Sequence, residues 1–380
     1  MWTHNEGNVD SESAIVFRQD LLEIVISQEE KIELNKLVGG IDRIAHDSSK
    51  PESCHVCGSA TFQLCSSHTI PRYCLQEIAD DGMLYAASAL LETNLLKAEI
   101  GVNEAAIFRC ICRKCDTEYF KLYETPSTLL QAPSSRIMGQ IAAKNLLREI
   151  SKARHSISKN RALEDKSTSA LSTMANVRAV DLEEDEAAFR IAVRVGKSSS
   201  GSKAYHLVFH RVLPYVAPFA FQQMVSPIAD CDGSPINYSF NPNPDYRMEP
   251  IHICVLPSKG NTVVMMFRGE RGKRYREFER QFRLCNDDEQ LEIIVKLIFA
   301  YSEDVFISKK INPAALMDSN LKTLARMNHN YSGFGSSDYA YKKDVQLAAV
   351  RDFSIANLPK PPGLLLKSYA LSSIDRSSFN

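Results

Sequence analysis

Two pairs of cysteines constrain the fold of this chain more than any other feature. Cys54 and Cys57 form one C-x-x-C pair, and Cys112 and Cys115 form another after 54 intervening residues. Two thiolates at this spacing bind one metal ion from a single tight turn, and two such turns complete the tetrahedron that zinc prefers. The spacing therefore predicts one structural Zn²⁺ held by all four cysteines, with the intervening residues folded so that the pairs meet.

The placement of the remaining cysteines agrees with metal binding. Seven of the ten cysteines lie between positions 54 and 115. In a large chain without a secretory leader, such clustering favours a metal site over disulfides. Cys65, Cys74 and Cys110 are interpreted as small buried residues. The alternative is a zinc–thiolate redox sensor in which one of these three is reactive.

Length and charge set the remaining limits. A chain of 380 residues predicts two or three domains, and a formal net charge of −1 gives no overall attraction to polyanions. Because the sequence has neither a secretory leader nor a run of about 18 uncharged apolar residues, we expect a cytoplasmic protein without a membrane partner.

Changes of pattern along the chain predict an α+β protein in five parts. Helical periodicity covers residues 14–38 and ends at Gly39-Gly40, a second and basic helix covers 136–161, and 181–186 is an acidic run in a stretch of lower complexity. Alternating β-branched and aromatic runs from 205 to 267 predict a compact antiparallel unit, followed by helices. The predicted parts are an N-terminal helical segment (1–50), a zinc module (51–125), a helical connector (126–200), a β-rich domain with C-terminal helices (201–330) and a loose tail (331–380).

Three further motifs accompany the cysteine pairs. They are Ser67-His68-Thr69-Ile70, Gly101-Val102-Asn103-Glu104-Ala105, and Cys115-Asp116 with Phe120 and Glu124. With these motifs, residues 54–124 resemble the HNH nucleases, whose treble-clef-like ββα-metal fold is often braced by zinc on two C-x-x-C knuckles. The resemblance covers about one fifth of the chain, and it implies an HNH-like zinc module.

The resemblance also implies an activity. His68 would act as the general base toward water, with Asn103 orienting it, and Asp116 or Glu124 would be a ligand of a catalytic Mg²⁺ or Mn²⁺. The chain would then be a metal-dependent endonuclease that cleaves nucleic acid phosphodiesters, with DNA as its partner. The resemblance further implies a setting in bacterial, antiviral defence against foreign DNA.

A second candidate site lies in the β-rich domain. Arg271, Lys273, Arg274 and Arg276 are interleaved with aromatic residues, a mixture that suits phosphate contacts and base stacking. The segment is equally typical of a polar hairpin end whose charges pair internally. The domain carries no catalytic motif of its own, so we expect it to sense a signal or to bind a protein partner.

The alternative function is a non-catalytic scaffold. In this interpretation the zinc only stabilises a small fold that binds protein or nucleic acid. Residues 51–125 contain six Lys and Arg against ten Asp and Glu, and this acidic balance opposes binding to DNA.

Overall fold

A computed structural model of the chain describes residues 28–60, 64–91, 98–164, 170–238, 243, 246–270, 272–331 and 350–371. These residues form a protein of mixed helix and sheet. The helices are α1 (Gln28–Ser48), α2 (Arg72–Ile78), α3 (Arg113–Tyr119), α4 (Pro126–Leu129), α5 (Ser135–Glu164), α6 (Ala170–Lys197), α7 (Arg276–Leu284), α8 (Asp287–Tyr301), α9 (Pro313–Leu316) and α10 (Ser319–Tyr331). Among them, none is both long and apolar enough to cross a membrane.

The strands form two antiparallel sheets. They are β1 (Ser67–His68), β2 (Met83–Ala86), β3 (Glu99–Gly101), β4 (Ile107–Phe108), β5 (Tyr205–Leu213), β6 (Phe219–Val225), β7 (Ile251–Ser258), β8 (Asn261–Gly269) and β9 (Val305–Ser308). The larger sheet has the order β3-β2-β9-β6-β7-β8-β5, and β1 pairs with β4 in a separate small sheet. The β7–β8 hairpin closes at Lys259 and Gly260, which both have positive φ, as a tight hairpin turn requires.

Helices cover both faces of the larger sheet. Along β7, Ile253 and Val255 belong to a core shared with α7, α8 and α10, whereas Cys254 and Leu256 belong to a core shared with α5 and the cysteine-rich segment. A strand that is buried on both faces has no polar side, which explains the nearly continuous apolar runs in β7 and β8.

The larger sheet combines two segments that the sequence separates. β2 and β3 come from the predicted zinc module, whereas β5 to β9 come from the predicted β-rich domain, and β2 pairs directly with β9. The antiparallel unit is therefore wider than the sequence pattern indicates. The domain boundaries stay a prediction.

α5 and α6 pack closely as an antiparallel pair. A Cβ atom at Gly139, near the start of α5, would lie 2.6 Å from the backbone nitrogen of Gly196, near the end of α6. Glycine is therefore required where these two backbones approach each other.

Three sequence predictions need correction. Residues 14–27 lie outside the described residues, but α1 continues through Gly39-Gly40 to Ser48, so the predicted stop is wrong. The acidic stretch at 181–186 is part of helix α6, because its charged residues can occupy the outer side of a helix that packs on α5. In the predicted loose tail, Leu364 and Leu365 are buried in the core, so residues 350–371 are not loose.

Candidate metal centre and the neighbouring lysine site

The first cysteine pair lies in a tight turn. The amide of Cys54 donates to the carbonyl of Ser59 at 3.0 Å, and Gly58 adopts φ +70°, which reverses the chain directly after Cys57. The second pair begins α3, with Cys112 at the position before the helix and Cys115 in its first turn. The amide of Cys112 donates to Sγ of Cys54 at 3.3 Å, which connects the two pairs.

The four thiols fit a tetrahedral metal ion. Their Sγ atoms all lie within 4.8 Å of one another, and Cys57 Sγ is 4.0 Å from Cys112 Sγ. For Zn–S bonds of about 2.3 Å, the edge of a tetrahedron is about 3.8 Å. The cluster therefore needs only a small contraction to hold a zinc-like ion, and the four cysteines come together as the spacing predicts.

The thiols differ in how readily they lose a proton. Hydrogen bonds with Ser59 lower the pKa of Cys57 to about 6, whereas burial raises the pKa of Cys54 and of Cys115. Metal binding by all four requires the thiolate form, so binding releases protons and weakens as the pH falls.

The three remaining cysteines of this segment are engaged within the fold. Cys74 and Cys110 are buried, and Cys65 donates its thiol to the carbonyl of Ile111. Burial raises the pKa of Cys65 and of Cys110 to about 11, which disfavours the reactive thiolate form at neutral pH. These features favour the interpretation as small buried residues.

His68 is held by a backbone carbonyl beside the predicted orienting residue. Its Nε2 donates to the carbonyl oxygen of Val102 at 3.0 Å, which leaves Nδ1 as an acceptor. Burial lowers the pKa of His68, so the ring is neutral at pH 7. Asn103 follows Val102 directly, and its side chain is exposed. The hydrogen bond that holds His68 is thus made by the neighbour of Asn103.

A buried lysine from α5 contacts the predicted metal-ligating carboxylates. Nζ of Lys144 lies 3.0 Å from Asp116 Oδ1 and 2.7 Å from Glu124 Oε1. It also donates to Ser67 Oγ at 2.8 Å and to the carbonyl oxygen of His68 at 3.0 Å. The lysine side chain is 1% exposed. These four oxygen atoms around Nζ are called the oxygen cage below.

The oxygen cage is filled by an ammonium group. One oxygen of Asp116 and one oxygen of Glu124 contact Nζ of Lys144, so these two predicted ligands share an internal cation. Burial raises the pKa of Glu124, and the charge of Lys144 opposes this effect. The structure thus brings His68, Asp116 and Glu124 together around an internal cation.

Two further cationic side chains of α5 bind a carboxylate within the protein. Arg148 donates to Asp304 at 2.9 Å and also to the carbonyl of Ile107, and Lys152 lies 2.6 Å from Asp304. Burial opposes ionisation of Asp304, but Arg148 and Lys152 keep its pKa well below the usual value. The basic side of α5 therefore joins the small β1–β4 sheet to the larger sheet.

Lys144, Arg148 and Asp304 were not predicted from the sequence as site residues. A signal was present on α5, because Gln140, Lys144, Arg148 and Lys152 recur every four residues and so follow one stripe of the helix. That stripe indicates a polar face. It does not say whether the face meets solvent or buried acids.

Part of the segment that was predicted to bind nucleic acid makes contacts within the protein. Arg271 lies outside the described residues, and Lys273 and Arg276 are exposed. Arg274 donates to Tyr246 Oη at 3.0 Å and stacks over the same ring at 4.5 Å. Its guanidinium is therefore already engaged, while a role in nucleic-acid binding stays a prediction for all four residues.

A cleft opens next to β4, between α5, α6 and the segment that follows α8. Its volume is about 790 Å³. Its charged lining consists of Lys50, Arg109, Arg148, Lys152, Glu149, Asp181, Asp185 and Glu303. Four cations and four anions line the cleft, so the formal charges of its lining balance.

The fold and the site define an α+β protein with an antiparallel sheet and four cysteines placed to hold a zinc-like metal ion. Comparisons with known protein families, with curated proteins and with solved structures gave no match to this chain.

Proposed function

We propose that this chain is a zinc-stabilised, non-catalytic binding protein. The observation that carries the proposal is the position of Lys144, whose buried ammonium binds both carboxylates that a divalent-metal nuclease would need. Zinc on the four cysteines would then serve structure alone, as in other closed tetrathiolate sites.

The proposal includes an HNH-like architecture for residues 51–125. β1 pairs with β4, and α3 follows β4, an arrangement that supports a ββα unit, although α2, β2 and β3 lie between β1 and β4 along the chain. The first cysteine pair precedes β1 and the second begins α3, so a bound zinc ion would fix the start of α3 relative to the turn at Cys54. We expect the unit to act as a rigid part of a binding surface.

Charge favours a protein partner over nucleic acid. Residues 51–125 are acidic, and the cleft has balanced charges. Arg148 and Lys152, on the basic helix α5, bind Asp304. A polyanion that bound through these two residues would have to break their pairs with Asp304, and breaking a buried pair costs about 3–5 kcal/mol.

Cleavage assays test the proposal directly. Purified zinc-loaded protein is incubated with plasmid DNA and with single-stranded RNA, in Mg²⁺ or Mn²⁺, beside a His68→Ala variant. We expect no divalent-dependent cleavage by either protein. Cleavage by the wild type that disappears in His68→Ala, with zinc content and melting temperature unchanged, would refute the proposal.

A second candidate function is the metal-dependent endonuclease, favoured by one specific observation. The ring of His68 is neutral and keeps Nδ1 as a free acceptor, which is the state that a general base needs. A bound divalent ion would supply charge stabilisation for the leaving oxygen. In that case Asp116 and Glu124 must first lose Lys144, and the same cleavage assay separates the two functions.

A further inference from the structure

The oxygen cage has the composition of a cation site. Its four oxygen atoms come from two carboxylates, one hydroxyl and one carbonyl, carried by β1, α3 and the residues after α3. Oxygen ligands of this kind suit Mg²⁺, Mn²⁺ and Ca²⁺. The cation present is the ammonium of Lys144, which α5 delivers and which also lies 4.5 Å from the centre of the Phe120 ring.

We infer that Lys144 permanently replaces a divalent cation in the oxygen cage, so that the native chain excludes such ions there while the cage itself retains the capacity to bind one. The inference deepens the proposed function, because it states why the ββα unit has no catalytic metal. It concerns ion binding, so it is testable without any activity.

Distances support an ammonium in place of a metal. The separations from Nζ to Ser67 Oγ, the His68 carbonyl oxygen and Asp116 Oδ1 are 2.8–3.0 Å, which are ordinary N–H···O hydrogen bonds. Nζ also lies 2.7 Å from Glu124 Oε1 in an ion pair. Mg²⁺ requires about 2.0–2.1 Å and Ca²⁺ about 2.3–2.6 Å. The cage must therefore contract by a few tenths of an ångström or more to hold a metal, which the buried ammonium prevents.

The charges explain why an emptied cage would take an ion. Asp116 and Glu124 bring two negative charges, and Lys144 supplies one positive charge, so removing the lysine side chain leaves two carboxylates unneutralised in a half-buried site. Such a site gains more from a divalent ion than from water alone. A covalently tethered cation is also always present at its site, whereas a free ion must compete with solvent.

The test removes the ammonium and counts bound Mn²⁺. Zinc-loaded wild type, Lys144→Ser and Lys159→Ser are titrated with Mn²⁺, and free Mn²⁺ is followed by electron paramagnetic resonance. Lys159 is the control, because it lies on the same helix and pairs with Asp42 at the surface. We expect Lys144→Ser to bind about one Mn²⁺ more than the wild type and the control. Adding Asp116→Asn to Lys144→Ser should abolish that gain.

Two results would overturn the inference. One is Mn²⁺ bound by the wild type and lost in the single variant Asp116→Asn. The other is a folded Lys144→Ser that keeps its zinc and gains no Mn²⁺. If Lys144→Ser does not fold, Lys144→Gln replaces it, and a folded Lys144→Gln without extra Mn²⁺ has the same meaning. Divalent-dependent cleavage by a wild type that binds no Mn²⁺ at the cage would refute the proposed function and leave this inference intact.

Discussion

Replacement of Lys144 by methionine should destabilise the protein strongly. Methionine fills most of the volume of the lysine stem but donates no hydrogen bond, so Asp116 and Glu124 lose their shared partner. Breaking a buried ion pair by removing one member costs about 3–5 kcal/mol. Because the two carboxylates are 27% and 30% exposed and gain some hydration, we expect about 3 kcal/mol, the lower end of that range.

Urea denaturation measures this loss, with zinc retained and the slope of the free energy against urea compared between variants. Lys159→Met is the matched control, and the loss of its exposed pair with Asp42 should cost less than about 1 kcal/mol. The triple variant Lys144→Met/Asp116→Asn/Glu124→Gln should recover much of the stability, because no unpaired charge remains. A Lys144→Met protein within about 0.5 kcal/mol of the wild type would refute the reasoning.

Two further predictions concern other buried ionisable groups. Burial lowers the pKa of His252 to about 3, whereas an unfolded histidine has a pKa of about 6.5, so the unfolded chain gains a proton first as the pH falls. His252 should therefore lower the free energy of unfolding by about 2 kcal/mol between pH 7 and pH 5. The measurement is the difference in urea stability between wild type and His252→Gln at each pH. Equal pH dependence in both proteins would contradict this prediction. Asp304→Asn leaves Arg148 and Lys152 without their shared carboxylate and should cost about 3 kcal/mol in the same assay. Glu303→Gln, which removes only the exposed contact of Lys152 with Glu303, is the comparison, and equal stabilities of these two variants would contradict the expected loss.

Local patterns predicted the features that local geometry determines. The C-x-x-C spacing located the four-cysteine cluster, because two thiols in one turn can bind the same ion whatever surrounds them. The β7–β8 hairpin was predictable for a similar reason, since two apolar runs flank a short turn that contains Gly260.

Features that depend on distant pairing were not predictable. The contact between β2 and β9 joins residues more than 200 positions apart, and no periodicity in either strand indicates its partner. α6 was missed because the acidic run at 181–186 was interpreted as a stretch of lower complexity, whereas the helix is stabilised by packing on α5.

The burial of Lys144 shows the same limit within the site. A lysine on a basic helix is usually solvated, and its ammonium becomes a buried cation here only because Ser67, Asp116 and Glu124 meet around it. Ser67 lies far before Asp116 and Glu124 in the chain. The sequence motifs contain all three residues but give no sign of the cation that they contact.

Metal content tests the central claim most directly. Protein purified without chelators is analysed for zinc by inductively coupled plasma mass spectrometry, beside a Cys54→Ser/Cys115→Ser variant and a Cys65→Ser control. We expect about one zinc ion per chain in the wild type and in the control, and almost none in the double variant. A wild type without zinc, or a double variant that keeps the full amount, would contradict the assignment of the four cysteines.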